Sequence, residues 1–279
     1  MQAANPTTTI DPSALAVRLK IALRAAETAG AILMGHFGSL RSIDEKSPID
    51  FVTAADRDSE AQVLGELRSA FPSDVILAEE QDGKDGATAL REQFATLPWC
   101  WVVDPLDGTT NFAHGNLQFA VSIGLAAYGL PVLGVVLAPA RREIFVGGVG
   151  IRATANGRPI VVSHADSIAR ALIATGFPYD RREHIAELTE RIGRVLMTSH
   201  GLRRAGAASL DLCELAAGRL DGFYEQRLAP WDVCAGHAVV EAAGGRLSDF
   251  AGGRHDVFGG ETIASNGRLH GALVELVRG

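Results

Sequence analysis

Two aspartates three positions apart, Asp104 and Asp107, follow a short apolar run at residues 100–103. The run predicts a buried strand, and Pro105 predicts that this strand ends at Asp104 because proline cannot donate to a sheet ladder. Carboxylates held by a rigid strand are the hard oxygen ligands that Mg²⁺ or Ca²⁺ prefer, and two so close together repel unless a cation or proton lies between them. The same residue types are common in turns, where they bind only backbone, so the stretch alone leaves both interpretations open.

Two further aspartates stand at predicted helix starts. Asp56 follows Thr53 at the spacing of a capping box, so capping the helix is an alternative role for its carboxylate. Asp232 comes two residues after Pro230, in the first turn of a helix predicted over residues 230–243, where proline and acidic residues are favoured.

One glutamate of the pair Glu79-Glu80 is the fifth candidate carboxylate, after Asp104, Asp107, Asp56 and Asp232. The pair follows a predicted strand at residues 75–78, and adjacent side chains of an extended chain point to opposite sides, so only one can face a shared site. The alternative is an exposed charged turn that leads into a polar loop at residues 81–87.

The remaining pattern alternates sheet and helix. Asp11 predicts the cap of a long first helix, and residues 118–162 predict an antiparallel meander in which Asn156 and Gly157 form a hairpin turn with positive φ. Residues 206–208 begin a helix with small side chains, which could leave backbone N–H groups open to a ligand or merely permit close packing. Further strands are predicted at residues 171–175, 222–225, 246–249 and 262–264, and further helices at residues 185–197 and 269–277.

The five carboxylates are expected to meet. In a layered α/β protein, strand ends and helix starts gather at one edge of the sheet, where ligands bind. Several carboxylates around one point require cations, and two or more Mg²⁺ ions suit a phosphoryl transfer. The eight histidines are scattered, and no Ser-His-Asp or Cys-His spacing competes with this interpretation. The set consists of Asp56, Glu79, Asp104, Asp107 and Asp232.

Composition narrows the class of protein. The chain has 279 residues, 47% of them hydrophobic, which is enough for a large core. Its net charge of −7 argues against a nucleic-acid partner, because phosphate binding needs clustered Lys and Arg. Three cysteines without metal-type spacing, no signal region and no apolar run of membrane length predict a soluble cytoplasmic protein with no membrane partner. Three arginine pairs, at residues 141–142, 181–182 and 203–204, are interpreted as solvated surface.

Two motifs make the sequence familiar: WVVDPLDGTTNF at residues 101–112, and WDVCAG at residues 231–236 followed by EAAGG at residues 241–245. On these motifs the chain resembles the inositol monophosphatase family, within the lithium-sensitive, Mg²⁺-dependent phosphatases that include fructose-1,6-bisphosphatase. The resemblance runs from about Ala14 to the C-terminus. It implies an α/β fold, the layered α-β-α-β-α sandwich, usually dimeric.

The implied domain organisation is a single domain over residues 1–279, with residues 1–13 disordered. An N-terminal lobe over about residues 14–162 would carry most metal ligands. A C-terminal lobe over about residues 163–279 would carry Asp232 and the substrate side.

The resemblance also implies a set of metal ligands for two or three Mg²⁺ ions. Glu79, Asp104 and the Leu106 carbonyl would hold the first ion. Asp104, Asp107 and Asp232 would hold the second, and Glu79 would reach a third, mostly hydrated ion.

Catalytic roles follow from the same resemblance. A metal-activated water would attack phosphorus in line, Thr109 would orient that water with Asp56 hydrogen-bonded behind it, and Glu79 would help as base. Gly108 and Thr109 would bind phosphate through their backbone, and Asp232 would help the leaving alkoxide. The positions that match the sugar side are Gly206, Ala207, Ala208 and Glu225.

Two departures from the family pattern concern the substrate side. Ala207 replaces a hydroxyl residue of some relatives, so any contact there is through backbone. Gln226-Arg227 replaces an expected glycine-bearing turn at the rim of the pocket.

The leading hypothesis is a Mg²⁺-dependent phosphomonoesterase that acts on a small phosphorylated polyol, myo-inositol 1-phosphate. Histidinol-phosphate phosphatase on the same scaffold is the nearest alternative. A bisphosphate phosphatase is disfavoured, because no basic cluster for a second phosphate is evident. The alternative from another class is a regulatory protein that contacts transcription machinery through Arg181-Arg182 or Arg203-Arg204.

Overall fold

The computed structural model describes residues 10–38, 44–47, 50–52 and 54–279. The predicted capping role of Thr53 and the disorder expected at residues 1–9 lie outside the described residues. The first helix already begins at Pro12, so the expected disorder does not extend to residues 12 and 13. Among the helices that the structure describes, none combines the length and hydrophobicity that a membrane span needs.

The first helix, α1, runs over Pro12–His36 and is capped as predicted, because the Asp11 carboxylate accepts a hydrogen bond of 2.9 Å from the Ser13 N–H. Its apolar face packs beside α2, which spans Ala54–Ala70. Ala70, the last residue of α2, is exposed.

A seven-stranded sheet is formed, in spatial order, by Val75–Ala78 (β3), Cys100–Asp107 (β4), Ala120–Ala127 (β5), Leu130–Ala138 (β6), Glu143–Gly148 (β7), Ile151–Ala155 (β8) and Arg158–Pro159 (β9). The pairing is parallel between β3 and β4 and antiparallel elsewhere. The predicted Asn156-Gly157 hairpin is confirmed, with φ of +50° and +72°.

A second, five-stranded sheet has the order β11-β10-β12-β14-β13, with β10 parallel to both its neighbours. Its strands are Leu172–Thr175 (β10), Gly201–Arg203 (β11), Gly222–Gln226 (β12), Arg246–Ser248 (β13) and Glu261–Ser265 (β14). Strand β11 is absent from the predictions. A short separate hairpin pairs Asp44–Ser47 (β1) with Asp50–Val52 (β2).

The layers follow from which side chains each sheet face buries. Along β4, Trp101 and Val103 pack with α1 and α2, whereas Cys100 and Val102 pack with the helices on the opposite face. Those helices are α6 (Ala208–Ala216) and α7 (Pro230–Ala242), which lie between the two sheets. The outer face of the smaller sheet is covered by α5 (Ile185–Thr198) and α8 (His270–Arg278). The predicted α-β-α-β-α sandwich is therefore confirmed.

Two local predictions around the candidate site are wrong. Strand β4 does not end at Asp104 but continues to Asp107, because an irregularity takes up Pro105 before pairing resumes opposite Ala120. The predicted polar loop at residues 81–87 is helical: α3 spans Glu79–Phe94, with a kink where Gly83 has a φ of +58°.

Candidate active site and metal centre

The end of β4 places Asp104 and Asp107 in the core. Asp104 is 2% exposed and Asp107 7% exposed. The Asp104 carboxylate accepts a hydrogen bond of 2.9 Å from the Leu106 N–H, which holds the irregular stretch between them in shape. Ser59 on α2 donates to the Pro105 carbonyl at 2.9 Å, so the same stretch is fixed from the other side. Both carboxylates therefore stand on a rigid base, as their position after a buried strand predicts.

The start of α6 is bound to Asp107. The Ser209 N–H donates to Asp107 Oδ2 at 2.8 Å, and the Ser209 hydroxyl lies 2.5 Å from the same oxygen. The N–H groups of this helix start therefore cap a protein carboxylate. The N–H of Ser209, the residue after this small-residue segment, is therefore not open to a ligand.

Thr109 begins a short helix, α4 (Thr109–Ala113), and its hydroxyl lies between two oxygens. Thr109 Oγ1 is 3.2 Å from Asp56 Oδ1 and 3.0 Å from the Leu106 carbonyl oxygen. Asp56 is 1% exposed, so its carboxylate accepts from groups of the protein. When the hydroxyl donates to Asp56, its lone pairs are free to accept a hydrogen bond from a water on the cleft side.

Gly108 has to be glycine for two reasons. Its φ is +90°, and a Cβ there would lie 2.8 Å from the Gln118 carbonyl oxygen and 3.3 Å from Ala207 Cβ. Asn111 holds the same junction together, since its amide donates to the Gln118 carbonyl at 2.7 Å and to the Ala205 carbonyl at 2.9 Å. Gly108 thus brings the backbone of β4 and of the segment before α6 into direct contact.

Glu79 and Asp232 approach from the remaining two elements. Asp232 lies in the first turn of α7, where its carboxylate accepts from the Ala229 N–H at 2.6 Å. Glu79 is the first residue of α3, is half-buried, and is hydrogen-bonded to the Asp104 carboxyl group.

Electrostatics shows how unfavourable this group of carboxylates is without a counter-ion. Burial raises the pKa of the Asp104 carboxyl group well above its ordinary range, and Glu79, Asp107 and Asp232 raise it further. Burial also raises the pKa of Asp107, although hydrogen bonds from Ser209 act against this. Burial and the charge of Asp107 raise the pKa of Asp232 to about 7. A bound cation would stabilise the charged form of all three carboxyl groups and so counteract these shifts.

The residues present therefore fit a hard divalent cation. Four carboxyl groups from three elements and the Leu106 carbonyl offer only oxygen donors, the donor type of Mg²⁺ and Ca²⁺. A separate group, formed by Asp180, Glu183 and His184, also has ligand atoms close enough for an ion. There the Asp180 carboxylate already forms an ion pair with Arg227.

A cleft runs beside the carboxylates and has two connected parts. The metal side, of about 300 Å³, contains Glu79, Asp104, Leu106 and Asp107 and also Lys84. The sugar side has about 440 Å³. Its predicted lining residues are Gly108, Thr109, Gly206, Ala207, Ala208, Glu225 and Asp232, and all of them line it.

Glu225 is the buried acid of the sugar side. It is 9% exposed, and burial raises the pKa of its carboxyl group well above the ordinary range, with Asp232 and Asp211 adding to the effect. Gly176 leaves it the necessary room, because a Cβ at that position would overlap the Glu225 carboxylate.

The structure thus gathers every predicted site residue at this cleft, with Asp56 behind it and in contact through Thr109. Sequence reasoning missed Ser209, Asn111 and Lys84. Asn111 lies inside the longer motif, so its position could have drawn attention to it. Ser209 and Lys84 carry no local signal, because their role depends on contacts with distant elements.

Comparison with known proteins gives a consistent result. Residues 14–279 match the model of the inositol monophosphatase family. An "Inositol-1-monophosphatase" of Synechocystis is 40% identical over 94% of this chain and 89% of its own. A "Nus factor SuhB" of Pseudomonas aeruginosa is 39% identical over 93% of this chain and 95% of its own. The structure of an inositol monophosphatase from Anabaena superposes with a TM-score of 0.82 at 39% identity, covering 94% of this chain and 96% of that one.

Proposed function

Because the chain belongs to the inositol monophosphatase family, whose members are metal-dependent phosphatases, we propose that it is a Mg²⁺-dependent phosphomonoesterase that hydrolyses myo-inositol 1-phosphate. The observation that carries the proposal is the group of buried carboxylates beside the Thr109–Asp56 hydrogen bond, facing a cleft whose far wall holds Glu225. The relative named inositol-1-monophosphatase supports the choice of alcohol.

In this proposal the ligands of two or three Mg²⁺ ions are Glu79, Asp104, Asp107, Asp232 and the Leu106 carbonyl. The ions, when bound, supply Lewis-acid activation of a water and of the phosphate oxygens. Asp107 is already fixed by Ser209, and Asp232 by the Ala229 N–H, so little reorganisation of these two side chains accompanies binding.

The chain's own residues orient the reacting groups. Thr109 accepts a hydrogen bond from the attacking water while its hydroxyl donates to Asp56, and Glu79 takes up the proton of that water. The Gly108 and Thr109 N–H groups, at the start of α4, hold the phosphate oxygens. Asp232, beside the ions, would help the leaving alkoxide depart.

The sugar side binds ring hydroxyls. Glu225 accepts hydrogen bonds from them, and the backbone of Gly206, Ala207 and Ala208 supplies the floor of the cleft. Because Ala207 has no hydroxyl, its contribution is limited to backbone and van der Waals contact.

The experiment is a measurement of phosphate release with Mg²⁺ from myo-inositol 1-phosphate and from histidinol phosphate at equal concentration. We expect release from the inositol ester, abolished by EDTA and restored by added Mg²⁺. Preference for histidinol phosphate would instead assign the alternative substrate, and EDTA-insensitive release would contradict the metal centre.

A second candidate function is regulatory binding to transcription machinery, and the relative named Nus factor SuhB favours it. Arg182 and Arg203 are exposed and do not line the cleft, so a protein partner would contact these members of the two arginine pairs. The test is whether this protein captures RNA polymerase. Capture by the Asp104→Asn variant, together with loss of capture in Arg182→Glu/Arg203→Glu, would support this function. Capture unaffected by the arginine reversals would contradict this surface.

We also propose a homodimer, as the family resemblance implies. Three apolar side chains on α5 are more than half exposed: Ile185 at 56%, Leu196 at 55% and Met197 at 86%. Light scattering that gives twice the chain mass supports the dimer, and the mass of one chain contradicts it.

A further inference from the structure

The sugar side of the cleft contains three arginines, Arg181, Arg204 and Arg227, which we call the arginine rim. Arg181 and Arg204 each belong to an arginine pair interpreted above as solvated surface. In both pairs the neighbouring arginine, Arg182 or Arg203, does not line the cleft. The expectation that no basic cluster accompanies the site is therefore wrong, because three segments far apart in sequence bring their cations together.

Arg204 lies close to the predicted phosphate site. Its guanidinium is 5.4 Å from the centre of the Phe177 ring, and a Cβ on Gly206 would lie 2.5 Å from Arg204 Nη1. The Gly206 carbonyl in turn packs 3.3 Å from the Cβ position of Gly108. Gly206 therefore lies between the Arg204 guanidinium and Gly108, whose backbone is predicted to bind phosphate.

Arg227 is held in an unusual conformation at the rim. Its φ is +64°, a region that costs a non-glycine residue about 1 kcal/mol or more. Its guanidinium forms an ion pair of 2.5 Å with Asp180, which joins the turn after β12 to the segment after β10. The charges of Arg227 and Asp180 cancel each other, and their ion pair connects the two walls of the sugar side.

Arg181 and Arg204 have no such carboxylate. Within the part of the chain that the structure describes, neither guanidinium lies within ion-pair distance of a carboxylate, although the charge of Arg204 opposes the rise in pKa of the buried Glu225 and Asp211. A neutral polyol would offer neither guanidinium fork an anionic partner of its own. Phosphate and carboxylate match the fork geometry of arginine and form charge-assisted hydrogen bonds with it.

We propose that the cleft selects phosphomonoesters whose alcohol part carries a second anionic group, a phosphate or a carboxylate, bound by Arg181 and Arg204. Arg227 positions the wall through Asp180, and Glu225 binds a hydroxyl group of the same molecule. This inference rests on the proposed phosphomonoesterase function, and it ranks doubly anionic esters above myo-inositol 1-phosphate, whose alcohol part is neutral, as substrates. It also disfavours histidinol phosphate, because the amine of that ester would face two guanidinium groups.

Two matched substrate pairs test the proposal. The first is glycerol 3-phosphate against 3-phosphoglycerate, which differ by a carboxylate in place of a hydroxymethyl group. The second is myo-inositol 1-phosphate against myo-inositol 1,4-bisphosphate. For each pair the readout is the ratio of the two kcat/KM values with Mg²⁺, because a loss of folded protein lowers both values and leaves their ratio unchanged.

In at least one pair, we expect kcat/KM to be about tenfold or more higher for the doubly anionic ester, because charge-assisted hydrogen bonds have about that strength. For the bisphosphate, this factor is counted after correction for its two hydrolysable ester groups. The pair that responds identifies the second group as carboxylate or phosphate. The variant Arg181→Gln/Arg204→Gln should lower this ratio about tenfold, whereas the control Arg182→Gln/Arg203→Gln should leave it unchanged.

Each opposite result overturns the inference. Ratios near one in the native protein, an unchanged ratio in the rim variant, or an equal change in the control variant would all contradict it. Ratios near one together with rapid hydrolysis of inositol 1-phosphate would leave the proposed function standing. Absence of phosphate release from every ester would remove both.

Discussion

Ser209 donates both its backbone N–H and its hydroxyl to one carboxylate oxygen of Asp107, although 102 residues separate the two in sequence. The contact joins the end of β4 to the start of α6, and so connects the two halves of the chain at the metal side of the cleft. It leaves Asp107 Oδ1 as the oxygen without these two donors. In the proposed metal centre, Ser209 would therefore determine which oxygen of Asp107 faces a cation.

Replacement of Ser209 by alanine should weaken Mg²⁺ binding about tenfold, because partners that orient a metal ligand commonly contribute that much or more. The Ser209→Thr variant keeps the hydroxyl and should retain most of the affinity. Calorimetric titration with Mg²⁺ measures the effect without reference to activity. Ser248→Ala, which removes a fully buried hydroxyl on β13, is the control. Equal Mg²⁺ affinity in Ser209→Ala and the native protein would show that the hydroxyl does not position Asp107.

Thr109 and Asp56 should act as a unit in catalysis. Thr109→Ala should lower kcat about 100-fold, the scale of a lost group that orients a proton transfer, while Thr109→Ser retains activity. Asp56→Asn should lower kcat in the native background and much less in Thr109→Ala, because its partner is then already absent. Steady-state kinetics of the four proteins measure this coupling, and additive effects would argue against the hydrogen bond as the functional link.

Metal removal should make stability fall as pH rises. In the folded, metal-free protein the pKa of Asp232 is raised to about 7, whereas the carboxyl group of an unfolded chain titrates near its ordinary value of 3.8. Between these values the folded state holds a proton that the unfolded state has lost, so the free energy of unfolding decreases by up to about 1.4 kcal/mol per pH unit for this group.

Thermal unfolding in EDTA at pH 5 and pH 8 measures this dependence. The Tm should be lower at pH 8, added Mg²⁺ should raise it more at pH 8 than at pH 5, and Asp232→Asn should flatten the dependence. A larger effect of Mg²⁺ at pH 5 would contradict the assignment of these carboxylates as its ligands.

A second pH effect should arise far from the cleft, at His255. Its Nδ1 is 2.9 Å from His237 Nδ1, and its Nε2 is 2.9 Å from Thr262 Oγ1. Burial and the neighbouring His237 lower the pKa of His255 to about 3, so its stabilising contribution is complete above the ordinary value of 6.5 and is lost as pH falls towards 3.

Acidification from pH 6.5 to pH 4 should therefore lower the free energy of unfolding of both the native protein and His255→Gln. The decrease should be about 3 kcal/mol larger in the native protein. Urea unfolding at several pH values measures it, with His164→Gln, at an exposed histidine, as the control. The same acid dependence in His255→Gln and the native protein would assign the effect to other groups.

Local pattern accounts for much of the fold. The cap at Asp11, the hairpin at Asn156-Gly157 and the apolar strand before Asp104 each depend on residues within a few positions, so sequence alone predicts them. The kinked helix α3 was predicted as a loop because its first turn is polar. Its helical start depends in part on a distant contact, because the Glu60 carboxylate accepts a hydrogen bond from the Glu80 N–H at 2.8 Å.

The candidate site divides in the same way. Its carboxylates stand at strand ends and helix starts, where the rule for layered α/β proteins predicts them. The Ser209–Asp107 contact and the convergence of Arg181 and Arg204 join segments that are distant in sequence. No spacing in the sequence encodes such contacts, and only the packing of the two sheets around α6 and α7 reveals them.

The central claim, that Asp104 anchors a metal centre that hydrolyses a phosphomonoester, is tested most directly by Mg²⁺-dependent phosphate release from myo-inositol 1-phosphate by Asp104→Asn. The substitution keeps the acceptor for the Leu106 N–H and removes one of several repelling charges, so the metal-free fold should be at least as stable. Asp85→Asn, at an exposed position, is the matched control. We predict that activity falls at least about 1,000-fold in Asp104→Asn and is unchanged in the control. Retained activity in a folded Asp104→Asn protein would contradict the account.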